Sequence, residues 1–505
     1  MKKNLILSFM ALLLISCAEQ GGQTSPVKDR YSQAMINARM SAWYNKDKQV
    51  GFDNTNSTNG LVQPAEYATW DYVPGVVAKG ILDVWAYYQD SAWADAWYIG
   101  LSRWADNLSE TMRANNEVLP LEAGILDDFN CLKVYIGLYE GAKPGGKFEN
   151  AEKAAFYKEQ LRRGAQGLAE HNRKYAIHLP IGGDGETYEP EVNGGWMHKA
   201  TDDPQKSYWG QMWCDGAYMG PALLAQLLCM DVCEGTGLGW NEVVKQFTAS
   251  WPYLWDEEKK LPYHVLFTDV ETNRNGRAIH EAGHSYLCPI DEGAAVYHSE
   301  EFWCRAAGWY ILALVDVLEA YLNNVQRDEV QCTKELPQAA DFETLHSYLT
   351  QLADGLVARQ DKETGCWYQL LQYGAEKSAT QGVDSTGSEK YTNVPKGGTQ
   401  ANYLESSGSC LITAALLKGT RLGLLHHKKA GKRGFEGIVR NFVRGEGAEM
   451  TITSSCQSAG LSHDRNGTAA YYLIGKDVPI QNNTEGKVLG AFLMAAVEYE
   501  RACRE

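Results

Sequence analysis

The chain has 505 residues, enough for two to four average domains or for one large helical or barrel domain. Hydrophobic residues make up 44% and charged residues 22%, an ordinary balance for a soluble globular protein. The net charge of −16 argues against a nucleic-acid partner, and it means that an anionic substrate has to be drawn in by a local cationic cluster.

Residues 1–17, MKKNLILSFMALLLISC, set two lysines before an apolar run too short to cross a bilayer, the form of a signal peptide. The run ends in Leu14-Ile15-Ser16-Cys17, which resembles a bacterial lipobox. Cys17 is therefore expected to carry lipid and to become the mature N-terminus, anchored in the bacterial cell envelope. Residues 18–28 read as a tether, and residues 29–505 as a single domain.

Apolar residues then recur at three- and four-residue steps in twelve stretches. These lie near 29–45, 74–89, 91–113, 125–140, 149–172, 217–233, 240–254, 300–323, 341–359, 405–424, 430–444 and 486–503. Strand-like alternation is rare. Twelve helices without a dominant sheet predict an all-α (α/α)6 barrel of six helical hairpins; a two-domain helical protein or an α-solenoid is the alternative. No fixed period appears, which disfavours a repeat array. The connections alternate between tight turns, such as Gln89-Asp90-Ser91, and long polar and aromatic loops at 173–214, 257–299, 360–404 and 445–485. Long loops in a compact domain usually carry function, so they are expected at one mouth of the barrel.

The densest chemistry lies between Gly194 and Ala225. Asp215 sits between Trp213 and Tyr218, where desolvation is expected to raise a carboxyl pKa and suit it to donate a proton. The plainer reading makes Asp215 the N-cap of the following helix. His198-Lys199 supplies a cationic pair upstream. Asp127 and Asp128 precede a helical run and read alone as favourable helix-start acids. His264 lies in a short aromatic stretch, and Arg305 and Trp309 are four residues apart on one helix face. Asn402 to Ser407 reads as a helix cap. Cys229 and Cys233 lack further ligands nearby, so buried thiols are expected rather than a metal site. The 15 Trp and 28 Tyr either fill a large core or offer faces to sugar rings. Motifs of serine hydrolases, P-loop NTPases, zincins and dinucleotide enzymes are absent.

Together the motifs resemble glycoside hydrolase family 105, the unsaturated rhamnogalacturonyl hydrolases, and the related unsaturated glucuronyl hydrolases of family 88. The resemblance runs through Trp70-Asp71-Tyr72-Val73-Pro74-Gly75, Leu126-Asp127-Asp128-Phe129-Asn130, Gly194 to Lys199 and Gln211 to Met219. It continues through Tyr263-His264, Phe302 to Tyr310, Gly365 to Gln369, Tyr403 to Ser407 and Gly490 to Glu498. It implies an (α/α)6 barrel that hydrates the C4=C5 double bond of a terminal unsaturated uronic acid left by a polysaccharide lyase. Neither metal nor cofactor is implied. The resemblance makes Asp215 the acid and Asp127 the second acid. His198, Lys199, His264 and Arg305 would hold the substrate carboxylate and hydroxyls. Trp213 and Trp309 would wall the sugar, with Trp70, Tyr72 and Met219 adding contacts. The chain departs from the family pattern in about six extra residues between Lys199 and Asp215, in Leu132 and Cys304 where glycine is common, and in insertions at 268–292 and 383–400. A surface glycan-binding lipoprotein, or another (α/α)6 sugar enzyme such as an epimerase or inverting glycosidase, remains as the alternative.

Overall fold

The computed structural model describes residues 30–40, 70–114, 124–178, 194–199, 210–268, 287–289, 296–328, 338–385, 392–462 and 465–504. The expected signal peptide, Cys17 and the tether lie outside the described residues.

Twelve main helices carry the fold, and two kinds of sequence make them. α2 (Tyr72–Tyr88), α4 (Leu132–Ala142), α6 (Pro221–Cys229), α8 (Cys304–Asp328), α10 (Ser406–Arg421) and α12 (Gly486–Ala502) form an inner ring. In α10 and α12 nearly every residue is buried, as an inner helix covered on all sides requires. The outer helices are α1 (Tyr31–Met40), α3 (Ala92–Ala114), α5 (Ala151–Tyr175), α7 (Trp240–Thr248), α9 (Ala339–Ala358) and α11 (Lys428–Phe442). α11 shows the contrast: Phe435, Ile438 and Phe442 are buried along one face, while Lys429, Arg433 and Arg440 are exposed.

Around the ring α2 packs on α4, α6 on α8, α8 on α10, α10 on α12, and α12 on α2. The α4–α6 junction is filled by the short turn Leu126–Phe129 against the short helix Cys214–Met219. Lys133 of α4 also crosses it, donating to the Tyr218 carbonyl at 2.6 Å. α2 and α12 approach closely because both present glycine. A Cβ on Gly80 would lie 2.9 Å from the Gly490 carbonyl oxygen, and one on Gly490 would lie 2.4 Å from Val76 Cγ1. The first outer helix packs on the last inner one and completes the ring. There the buried Glu500 carboxylate accepts from the Ser32 amide and hydroxyl, both at 2.8 Å, and from Tyr88 at 2.9 Å.

Each of the first five inner helices leaves by a short connection to its outer neighbour, and the longer loops return to the next inner helix. All six inner N-termini therefore face one mouth. Here a small antiparallel sheet holds the loops, with β3 (Gln211–Trp213), β4 (Val265–Thr268), β5 (Leu287–Pro289) and β6 (Val296–Ser299) in the order β3-β4-β6-β5. A hairpin of β1 (Ala176–His178) and β2 (Gly194–Trp196) lies beside it. At the opposite end, among the inner C-termini, a cavity of about 700 Å³ is lined by Lys79, Asp83, Asp316, Lys418, Arg421 and Glu498.

The expected helices all appear, and three are divided. The 217–233 stretch breaks at Gly220, before Pro221 starts α6; the 240–254 stretch breaks at Ser250, before Pro252. The 125–140 stretch breaks at Asn130 and Cys131. In the first two a proline, which lacks the amide a continuous helix would use, opens the next segment. Nine of the cysteines are free thiols, Cys229 and Cys233 among them.

Candidate active site

The site is assembled from the starts of the inner helices. Asp215 lies in the first turn of the short helix Cys214–Met219, directly after β3. Its N-cap position is Trp213, so Asp215 is not the cap, and the plainer reading of this carboxylate fails. The Cys214 amide bonds the His264 carbonyl at 3.0 Å, and β3 pairs with β4, which together lay His264 beside Asp215. His264 is fully buried. Its Nε2 lies 3.3 Å from Asp215 Oδ2, and its Nδ1 lies 2.7 Å from the Tyr472 hydroxyl.

A second acid–histidine pair stands across Trp213. His198 Nε2 lies 3.4 Å from Asp127 Oδ1. The His198 amide bonds the Gln211 carbonyl, and its own carbonyl accepts from the Leu126 amide, both at 2.9 Å. Those two bonds tie the upstream cationic pair to both the Asp127 turn and β3. The His198 ring stacks on Trp213 at 4.6 Å and 13°, and Trp213 meets the His264 ring edge-on at 5.3 Å and 71°. Gln211 Oε1 accepts from Trp213 Nε1 at 2.8 Å and fixes the indole between them. Gly216 makes room for this arrangement, since a Cβ there would lie 3.1 Å from His198 Nδ1.

Electrostatics separate the two acids of the Asp127–Asp128 turn. Burial disfavours the Asp127 charge, but His198, then Lys199 and Lys487, outweigh it and hold its pKa below the ordinary value. Burial, with the neighbouring charges of Asp127 and Asp71, pushes Asp128 up to about 7. Trp70 donates to the Asp128 carbonyl at 2.9 Å, and Asp71 caps α2 by accepting from the Val73 amide at 2.9 Å. Tyr72 opens that helix half-buried, and burial first and then the Asp127 charge push its hydroxyl pKa well up. The Lys199 ammonium lies 5.8 Å from the Trp213 ring.

Arg305 is held more tightly than a free substrate clamp. It is 2% exposed, donates to Ser407 Oγ at 3.3 Å and the Gln457 carbonyl at 3.2 Å, and lies 3.8 Å from Glu485. Its guanidinium sits 4.8 Å from the Trp303 ring centre. Two buried glutamates flank it, and both cap inner helices. Glu405 accepts from Ser407 and Gly408 amides at the start of α10, as the cap expected there, and Glu485 accepts from Lys487 and Val488 amides at the start of α12.

Trp309 and Met219 are placed differently from the sequence expectation. Each is 1% exposed within the core. Trp309 packs on Tyr218 at 4.7 Å between ring centres, one helical turn below Arg305. A shared helix face put Trp309 with Arg305, but a step of four residues also moves it about 6 Å along the axis into the barrel.

Sequence reasoning missed Tyr472, Lys487 and Glu485. Tyr472 belongs to the short helix Ala469–Ile474, and no local motif marks it. Glu485 stands just before an apolar run, a position that signals a cap, although glutamate is not among the favoured cap residues.

The ring of paired helices gives the chain a helical-barrel fold shared with solved glycoside hydrolases. A family 105 glycoside hydrolase from C. acetobutylicum superposes with a TM-score of 0.61 at 24% identity, covering 94% of this chain and 100% of that one. A possible family 105 member from Salmonella enterica superposes with a TM-score of 0.59 at 16% identity, covering 95% and 96%. In sequence, the 24.9 kDa protein in the picA locus of Rhizobium radiobacter is 27% identical over 236 residues, which is 43% of this chain and 83% of that protein. The family model for Glycosyl Hydrolase Family 88 matches residues 186–389 and 384–503, more than half of the chain. The protein belongs to this family and is a glycoside hydrolase.

Proposed function

We propose that the protein removes a 4,5-unsaturated uronic acid from lyase-generated oligosaccharides by hydrating its C4=C5 double bond, with Asp215 as the acid. The observation that carries this reading is the pairing of Asp215 with His264 on the floor of the mouth, across Trp213 from the Asp127–His198 pair.

Asp215 gives its proton to C4 as the double-bond electrons form the C4–H bond. Water adds its oxygen to C5, and its proton returns to Asp215. The resulting hemiketal opens at the ring oxygen and the next sugar leaves. Asp127, kept ionised by His198, orients the water or a ring hydroxyl. Lys199 and Lys487 favour the substrate carboxylate against the chain's net negative charge. Trp213 offers an apolar face between the two pairs. Asp127 and Asp215 act on a double bond rather than at the anomeric carbon, so the spacing rule for ordinary glycosidase carboxylates does not govern them.

Cys17 would anchor this activity to the bacterial envelope. Incorporation of labelled fatty acid, lost in Cys17→Ala, tests that part. The reaction is tested with unsaturated disaccharides from rhamnogalacturonan, ulvan and glycosaminoglycans. Decay of the ultraviolet absorbance of the ene-carboxylate on one of them supports the reaction and identifies the leaving sugar. No decay on any, with hydrolysis of a saturated glycoside, overturns it.

A further inference from the structure

We infer that Tyr472 is a positioning residue for the acid step, acting through His264 on Asp215. The inference rests on the activity proposed above.

Tyr472 is fully buried, and burial pushes its hydroxyl pKa well up, so it keeps its proton. Among the described residues, the one partner of that hydroxyl is His264 Nδ1 at 2.7 Å. If the hydroxyl only accepted from this one partner, its own proton would be buried without a bond, so the hydroxyl is assigned as the donor. Nδ1 is then an acceptor, and the ring proton sits on Nε2. That N–H faces Asp215 Oδ2 at 3.3 Å. Both atoms are buried, and neither has an aligned hydrogen bond among the described residues. Such bonds tighten as charge develops in the reacting complex.

The consequence is a choice between the two oxygens of one carboxyl. With Oδ2 aimed at an N–H donor, the acid's own proton belongs on Oδ1, and Oδ1 delivers it to C4. As the proton leaves, the carboxylate charge that forms meets the waiting Nε2–H. The opposite tautomer would turn a lone pair toward Oδ2, draw the proton inward and leave Oδ1 without one. The relay is held rigidly. The Tyr472 carbonyl accepts from Gln369 Nε2 at 3.2 Å, Gln369 Oε1 accepts from Trp303 Nε1 at 3.1 Å, and the Trp303 ring packs 4.8 Å from His264. Thr468 caps the helix that carries Tyr472, accepting from the Tyr471 amide at 3.2 Å.

Tyr472→Phe keeps the ring and removes only the donor, so the thermal melt stays near wild type. The expected result is a kcat roughly tenfold lower with KM within about twofold, the size of one lost hydrogen bond. His264→Gln lowers kcat further, and adding Tyr472→Phe to it changes nothing more, because the tyrosine acts only through the histidine. Nitrogen-15 NMR of histidine-labelled protein should show His264 as the Nε2–H tautomer in wild type, and as a mixture in Tyr472→Phe. A wild-type kcat in Tyr472→Phe, multiplicative losses in the double variant, or an unchanged tautomer would each overturn the inference. If the wild type consumed no unsaturated disaccharide, the proposed activity would fall, and the tautomer would still decide whether the hydrogen-bond relay exists.

Discussion

The two ends of the inner ring hold similar side chains and use them oppositely. At the end away from the site, Lys418 contacts both Asp316, at 2.7 Å, and Glu319, at 2.6 Å, while Arg421 pairs with Glu498 at 2.8 Å. These cations lie near helix C-termini, where the backbone dipole favours them. At the mouth, Asp71, Glu405 and Glu485 cap helix N-termini, as the same dipole asks. Between those caps, however, Asp215 Oδ2, His264 Nε2 and His198 Nδ1 are buried without aligned hydrogen bonds among the described residues. The far end has Asp316 Oδ2 in the same condition, yet Lys418, Lys79 and Lys133 surround that carboxylate and, against its burial, hold its pKa down. The unbonded carboxylate oxygen at the far end is surrounded by ammonium groups, whereas, among the described residues, that of Asp215 at the mouth faces only the imidazole of His264.

Asp215→Asn gives the largest separation of the two ends. It should lower kcat by roughly 10²- to 10⁴-fold, the range of a lost general acid, with little change in the unfolding midpoint. Loss of absorbance decay together with an unchanged circular-dichroism melt checks it. A variant with near-wild-type turnover would show that the acid lies elsewhere. The counterpart at the far end is Asp316→Ala. Leaving Lys418 short of this counter-charge should destabilise by about 3 kcal/mol in urea unfolding, with kcat per folded molecule unchanged. A fall in kcat at full folding would break the division between the ends. Asp127→Asn should be milder than Asp215→Asn, lowering kcat/KM roughly tenfold, because it weakens a hydrogen-bonding partner rather than the proton donor. Steady-state kinetics on the same disaccharide orders the two.

The smallest effect is on stability against pH. Burial, with neighbouring acidic charge, raises both Asp128 and Glu301 to about 7 in the folded chain. A carboxyl whose pKa is raised by folding binds its proton more tightly in the native state. Its contribution is fully present below pH ~4 and is lost as pH rises through about 7. The double variant Asp128→Asn, Glu301→Gln should therefore show a flatter unfolding midpoint between pH 5 and 8, and a slope equal to wild type would refute the assignment.

What the sequence disclosed follows from the range of the forces involved. The twelve helices were legible because each carries its own apolar period, and the tight and long connections alternate along the chain. Asp215, Asp127, His198 and His264 stood out through ordered motifs and the aromatic residues around them. Tyr472 did not, since it reaches His264 across 208 residues and has nothing unusual beside it. Trp309 and Met219 look like site residues by neighbourhood, but depth along a helix axis is invisible until the helix is placed in the ring. Arg305 stood out beside its aromatic neighbours, whereas its capture by Ser407, Gln457 and Glu485 depends on the start of α10 meeting two later segments.

The bond between Ser32 and Glu500 joins residues 468 apart, and α1 has no inner partner until α12 arrives. Ring closure is thus the last contact that synthesis allows, and the growing chain carries an open seam along α2 until then. Folding of such a topology is slow relative to its helix content, because the longest loop closes last. The same closure brings α1 and α12 side by side, so new termini cut at one of the short far-end turns would leave the mouth and its relay intact.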